Sequence, residues 1–288
     1  MRPSPLPGHL AAGLLMLALA ACGEVAGGPS TSGPVGSSVP ALSAGESAGA
    51  EPAMGRPAVK EYTVEVLRAF PHDPTAYTQG LEWHDGALLE STGQYGKSRL
   101  RRVDLETGEI RREVVVDPDL FAEGVTRVGE RLIQLTWQAG LALVYDAGNF
   151  EALEPLRYRG EGWGLCFDGE RLVMSDGSDL LSFRDPATFD LLGTVAVTLH
   201  GAPVGNLNEL ECVEGEVYAN VYGREILVAI DPASGRVRRV IDAAGLLSAS
   251  ERAHAEVLNG IAHRPGSDRF FLTGKHWPKL FEVRFVER

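Results

Sequence analysis

From Tyr62 onward the chain sets short apolar runs between clusters of Gly, Asp, Asn and Pro. One unit recurs: a Gly with an apolar residue behind it, a short strand, a turn, and a second strand. The copies start at Gly80-Leu81, Gly124-Val125, Gly164-Leu165, Glu209-Leu210 and Gly260-Ile261, at intervals of roughly 40 to 50 residues. The turns read Asp85-Gly86, Gly129-Glu130, Asp168-Gly169, Glu214-Gly215 and Pro265-Gly266, all hairpin material. The returning strands read Leu88-Leu89-Glu90, Leu132-Ile133-Gln134, Leu172-Val173-Met174, Val217-Tyr218-Ala219 and Phe270-Phe271-Leu272. A later part of the unit recurs too, led by Asp104, Asp146, Asp185 and Asp231 with Pro, Gly or Thr close behind. An Asp side chain bonds backbone N–H groups just ahead of it and closes a tight turn between two more strands.

Each unit therefore holds four short strands. Period and strand count predict an all-β fold, a five-bladed β-propeller with four-stranded blades. The last copy ends before its fourth strand, and the strand Tyr62 to Leu67 supplies it, so an N-terminal strand completes the last blade and closes the ring. A two-sheet sandwich gives no reason for so regular a repeat. The 34 glycines and 17 prolines agree, since they imply many turns and few long helices.

The first residues read as an address. Arg2 precedes an apolar run, Leu10 to Ala21, too short to span a bilayer as a mature helix. It ends Leu19-Ala20-Ala21-Cys22-Gly23, which resembles a bacterial lipobox, with cleavage before Cys22 and lipidation of that cysteine. Residues 1–21 are then a lipoprotein-type signal peptide. Residues 22–57, rich in Gly, Ser, Ala and Pro, form a flexible tether that buries too little apolar surface to order itself. Residues 58–288 are the propeller domain. The expected location is export, anchored to a membrane facing the periplasm or the cell exterior, with membrane contact only through the lipid on Cys22.

Charge narrows the partners. With 27 Lys plus Arg against 39 Asp plus Glu, the net charge is -12, which repels nucleic-acid phosphates and anionic head groups. Three cysteines make no dense disulfide scaffold, and no CxxC pair suggests zinc. Cys166 and Cys212 fall on neighbouring first strands, at slots one and two past the apolar anchor. That mismatch favours buried free thiols. A monomer is expected.

In a propeller the first strand of each blade lines the channel, and its start shares a rim with the end of the second strand. The slot two residues before the anchor holds Gln79, Glu123, Trp163, Asn208 and Asn259. The slot twelve after it holds Gly93, Trp137, Gly177 and Tyr222, and, past a short insertion, Lys275. One rim thus gathers a carboxylate, an ammonium, three amides and three large aromatics. The set suits a small polar ligand bearing an amide or amine.

Several stretches resemble the plant-type glutaminyl-peptide cyclotransferases, or glutaminyl cyclases, which also occur in bacteria. They are Phe70 to Leu81 (reading FPHDPTAYTQGL), Glu90-Ser91-Thr92-Gly93, Phe121 to Thr126, Leu135-Thr136-Trp137, Gly162 to Leu165, Leu207 to Glu211, Val257 to Ala262 and Thr273-Gly274-Lys275. The resemblance implies a five-bladed propeller that turns the N-terminal glutamine of a peptide or protein into pyroglutamate and releases ammonia. It implies Glu123 as proton shuttle. Gln79, Asn208 and Lys275 would hold the amide and the oxyanion, and Phe121, Trp137 and Trp163 would wall the pocket. Tyr77 stands where the family usually has Phe, and Tyr222 where it usually has Trp. Both keep an aromatic face in the substrate-binding set, which Asn259 completes. The chemistry implies no required cofactor, and it leaves open a structural metal ion in the channel, for which no ligand cluster stands out.

Two other readings stay open: a non-catalytic ligand-binding propeller of the same family, and a sugar- or lactone-handling propeller with calcium. The second wants several channel carboxylates. The rim slots give one, with Glu209 beside it, and Asp176 and Glu90 are the further ones to check. Asp242 to Asn259 is a longer connection. It carries a short helix after a serine cap and enters the last unit at the active rim, where it either roofs the pocket or stands clear of it.

Overall fold

The structure of the protein, a computed structural model, describes residues 58–288. The signal segment, Cys22 and the tether lie outside the described residues.

The described chain is almost entirely β. A first strand, β1 (Lys60–Pro71), precedes four strands that pair in sequence order: β2 (Thr78–His84), β3 (Ala87–Thr92), β4 (Arg99–Asp104) and β5 (Ile110–Val115). The second sheet is β6 (Ala122–Val128), β7 (Arg131–Thr136), β8 (Leu141–Asp146) and β9 (Ala152–Arg157). The third is β10 (Leu165–Phe167), β11 (Leu172–Ser175), β12 (Leu180–Arg184) and β13 (Leu191–Ala196). A small hairpin, β14 (Thr198–Leu199) and β15 (Ala202–Pro203), leads to β16 (Leu207–Val213), β17 (Glu216–Val221), β18 (Ile226–Asp231) and β19 (Arg236–Asp242). After the helix α1 (Ala249–Arg252) come β20 (Leu258–His263), β21 (Phe270–Gly274) and β22 (Lys279–Glu287).

The last group lacks a fourth strand of its own, and β1 fills the place. It runs antiparallel to β22 from Tyr62 opposite Glu287 to Pro71 opposite Lys279. Its first residues, Lys60 to Thr63, also pair in parallel with Arg239 to Asp242 of β19, which joins the last two groups edge to edge. The strand expected over Tyr62 to Leu67 is therefore present and longer.

Local chemistry accounts for the repeated turns. Asp85 and Gly86, and Glu214 and Gly215, all have positive φ, as the two-residue hairpin turn that matches strand twist requires. In the later turns the Asp104, Asp146, Asp185 and Asp231 carboxylates accept backbone N–H bonds from Thr107, Gly148, Ala187 and Ala233.

The core lies between successive sheets. Leu89 and Leu100 of the first sheet pack with Val125 and Leu132 of the second. Ile133 and Leu135 pack with Leu165 and Leu172 of the third. Val173 and Leu181 meet Leu210 and Val228. Leu227 meets Leu258 and Leu272, and Phe271 and Leu280 return to Leu81 and Leu88. The innermost strands follow one another in the same circuit, β2 against β6, β6 against β10, β10 against β16, β16 against β20 and β20 against β2. Their backbones approach closely: a Cβ on Gly124 would lie 2.7 Å from the Leu165 nitrogen. The fourth copy carries Glu209 where the others have Gly, and its carboxyl takes the Leu81 N–H at 3.2 Å and the Ile261 N–H at 2.7 Å.

The free-thiol expectation is overturned. Cys166 and Cys212 form a disulfide, with Cα atoms 5.5 Å apart. Equivalent slots on two stacked sheets point the same way, so they cannot meet. Side chains alternate faces with a period of two, and an offset of one slot turns one cysteine forward and the other back into the same gap.

Candidate active site

Nine of the residues marked in the sequence line one cavity of about 220 Å³: Tyr77, Gln79, Phe121, Glu123, Trp137, Trp163, Asn208, Tyr222 and Lys275. The backbone explains why the slot before each anchor faces it. The pairing of β2 with β3 slips between Thr78 and Gly80, that of β6 with β7 between Ala122 and Val125, and that of β16 with β17 between Leu207 and Leu210. Each slip is a bulge with one extra residue on the inner strand, a device that re-aims a side chain. Gln79, Glu123 and Asn208 sit on these bulges.

Asn259 sits on the matching bulge of β20 but does not line the cavity, which corrects its expected place among the substrate contacts. Its Nδ2 donates to the Thr78 carbonyl at 3.0 Å and to Gln79 Oε1 at 3.2 Å. Gln79 Nε2 in turn donates to Glu123 Oε1 at 3.0 Å. Asn259 therefore fixes which end of the Gln79 amide faces Glu123.

Glu123 is 5% exposed. Burial pushes its carboxyl well above the usual range. The Lys275 ammonium works against that shift and the Glu161 carboxylate adds to it. Its backbone is pinned as well: Ser91 Oγ donates to the Glu123 carbonyl, and Gln134 Nε2 holds Ser91 Oγ at 2.8 Å. Lys275 is buried, which lowers its pKa against the pull of Glu123 and Glu256. Its Nζ lies 4.5 Å from the centre of the Tyr77 ring and 5.1 Å from that of Tyr222, close enough for cation–π attraction to both.

The aromatic walls are set edge to face. Phe121 meets Trp137 at 5.7 Å and Tyr77 at 6.1 Å, and Trp163 meets Tyr222 at 5.8 Å. The slots that hold Gly93 and Gly177 make room for two of these rings. A Cβ would lie 2.4 Å from the Phe121 ring at Gly93 and 2.7 Å from the Trp163 ring at Gly177.

Three residues near the site were not among those assigned a role from the sequence. Glu161 accepts both cavity indole N–H groups. Glu256 reaches the Tyr77 hydroxyl, whose pKa burial and that carboxylate push up to about 12. His72 holds Glu90 at 2.9 Å. Glu90 also accepts from Thr78 Oγ1 at 2.8 Å, and Asp176 closes a local turn with Ser178, so both carboxylates flagged for a metal already have partners. Among the described residues no group of three or more His, Cys, Asp or Glu could hold a metal ion.

The connection before β20 meets the rim only at its end. The Glu256 N–H donates to the Lys275 carbonyl at 2.8 Å. Its helix spans only the four residues of α1, and Ser248 is the serine cap, reciprocally bonded to Glu251. No residue of α1 is buried.

The sheets follow one another in a propeller-like circuit and enclose an aromatic cavity that holds one buried carboxyl, Glu123, and one buried lysine, Lys275. The family model for glutamine cyclotransferase matches residues 39–285, and the chain belongs to that family. It is 40% identical over 230 residues to the glutaminyl-peptide cyclotransferase of Arabidopsis thaliana, covering 78% of this chain and 72% of the plant protein. Against the crystal structure of Myxococcus xanthus glutaminyl cyclase the TM-score is 0.73 at 42% identity, covering 80% of this chain and 100% of that one.

Proposed function

We propose that the protein converts the N-terminal glutamine of peptides or proteins to pyroglutamate and releases ammonia. One observation carries the proposal: Glu123 is buried on the cavity wall, bonded by Gln79 and faced by Lys275, in a member of the glutamine cyclotransferase family. The substrate's free α-amine attacks its own γ-carbonyl carbon, and the bond to the amide nitrogen breaks. Glu123 takes a proton from the attacking nitrogen and delivers one to the departing nitrogen, so the carboxyl ends as it began. Burial raises the Glu123 carboxyl above the usual carboxylate range, which makes its ionised form a better acceptor for the amine proton. Asn208 and the second N–H of Gln79 receive the amide, and Lys275 offsets charge on the tetrahedral oxygen. Phe121, Trp137, Trp163, Tyr77 and Tyr222 hold the side chain folded back for ring closure.

The same reading takes the four-stranded groups as five blades, in keeping with the circuit of inner strands and with β1 completing the last group. It takes the protein as an exported monomer, held to a membrane through Cys22 if the first 21 residues are removed. The disulfide fits an oxidising compartment.

The experiment offers the purified protein a short peptide beginning with Gln, and the same peptide N-acetylated. Ammonia release with the matching mass loss from the free peptide alone is expected, because acetylation removes the nucleophile. No release from either, with folded protein, overturns the proposal in favour of a ligand-binding propeller.

A further inference from the structure

Trp137 follows β7 and Trp163 precedes β10, so the two indole walls of the cavity belong to different sheets. Both turn their Nε1–H to the same atom: Glu161 Oε2 accepts from Trp137 at 2.7 Å and from Trp163 at 3.0 Å. The other oxygen, Oε1, accepts from Gln138 Nε2 at 2.9 Å. The carboxylate is thus oriented from behind and fully engaged. These bonds hold its pKa below the usual range, those from Gln138 and Trp163 foremost, so it stays ionised where the enzyme works. The backbone is arranged around it. The Gly162 N–H donates to the Trp137 carbonyl at 3.0 Å, which ties the segment carrying Glu161 to the end of β7.

An indole has two torsions to fix. Packing against Phe121, Tyr222 and the flat place at Gly177 settles which plane each ring occupies. It does not settle which edge faces the cavity, and an N–H edge turned inward would present a donor to an aliphatic chain. A shared anionic acceptor outside the cavity settles it for both rings at once, since a bond to an ionised acceptor is the strong kind.

We propose that Glu161 is a positioning residue for the cyclisation. One carboxylate locks both tryptophan walls with their apolar faces to the substrate. The inference rests on the reaction proposed above and adds a residue that acts through Trp137 and Trp163 rather than on substrate.

Two variants test the clamp. Glu161→Ala removes acceptor and charge. Its KM should rise about tenfold or more, since misplaced groups near reacting atoms cost up to ~100-fold, and the near-ultraviolet circular dichroism of the indoles should weaken while the far-ultraviolet spectrum stays. Glu161→Gln keeps one carbonyl oxygen for both indoles, and Gln138 turns its amide to match. It should restore most of the indole signal and of KM. Wild-type KM and indole dichroism in Glu161→Ala overturn the clamp. A Glu161→Gln variant as impaired in KM and indole dichroism as Glu161→Ala overturns the shared-acceptor role. A wild-type protein inactive on Gln peptides defeats the reaction instead, and the indole dichroism still reads the clamp.

Discussion

Glu123 and Glu209 are both buried carboxyls that burial lifts well above the ordinary range, and they differ in what surrounds them. Glu209 spends both oxygens on backbone N–H groups, of Leu81 and Ile261, and its electrostatic neighbours are Glu211 and Glu82. Glu211 and Glu82 likewise cap backbone N–H groups, those of His263 and Arg127. Glu123 has one amide partner, a lysine nearby, and an open side facing a cavity with aromatic walls. A perturbed pKa therefore marks two kinds of place in this protein. Satisfaction marks the structural one. An unsatisfied oxygen next to space marks the chemical one.

The largest effect that breaks or sharpens the contrast is on turnover. Glu123→Gln should lower kcat by about 10²- to 10⁴-fold, the usual worth of a general acid–base group, with unchanged circular dichroism. Glu209→Gln, equally buried, should leave kcat near wild type. Equal losses in the two would erase the distinction. The same pair reverses when stability is measured. Glu209→Ala orphans two buried N–H groups and should cost about 2–6 kcal/mol by denaturant titration, at roughly 1–3 kcal/mol per unpaired group.

These two carboxyls also show how far the sequence could be read. Gly in the slot before the anchor and Glu in the fourth copy were visible as a pattern and an exception, and the repeat alone put Gln79, Glu123 and Asn208 on one rim. The bulges that aim them were invisible, because a bulge is set by pairing partners far along the chain. Asn259 shared the slot and was misplaced for that reason: the slot gives the register, and the neighbour on β2 decides where the amide points. Glu161 and Glu256 left no trace, since a lone acidic residue in a loop has no periodic signature. The cysteines failed on geometry. Their slots were read correctly, and the rule applied to them ran the wrong way for sheets stacked face to face.

The disulfide gives the next effect in size and lies on the structural side of the comparison. Cys166 is 2% exposed in the core between the third and fourth sheets. Replacing both cysteines by Ser should cost about 3 kcal/mol, typical for removal of a native bridge. That lowers Tm by about 2–4 °C per kcal/mol for a domain of this size. KM and kcat at 25 °C should not move, because neither cysteine lines the cavity. A change in KM with Tm unaltered would place the bridge on the chemical side.

The smallest effect is the pH dependence of stability, and its sign is unusual. Burial raises Glu82 to about 7 and lifts Glu209 and Glu211 too, against unfolded values near the ordinary 4.5. Between those limits the unfolded chain has released protons that the folded chain still holds, so stability falls as pH rises. The carboxylates with lowered pKa, Glu90 beside His72 and Asp73 beside Arg101, act at the other end. Their contribution is present above their unfolded values and is lost as pH drops through the lowered folded ones. Tm should therefore peak on the acid side of neutrality and decline by a few degrees, at about 2–4 °C per kcal/mol, between pH 5 and pH 7.5. Glu82→Gln removes one of these raised carboxyls and should make the decline shallower while leaving turnover intact. A Tm that climbs steadily from pH 5 to pH 7.5 would mean that these carboxyls ionise in the folded protein. Bonds to backbone N–H groups alone would then suffice to hold buried charge, and the contrast with Glu123 would rest on access to the cavity and not on charge state.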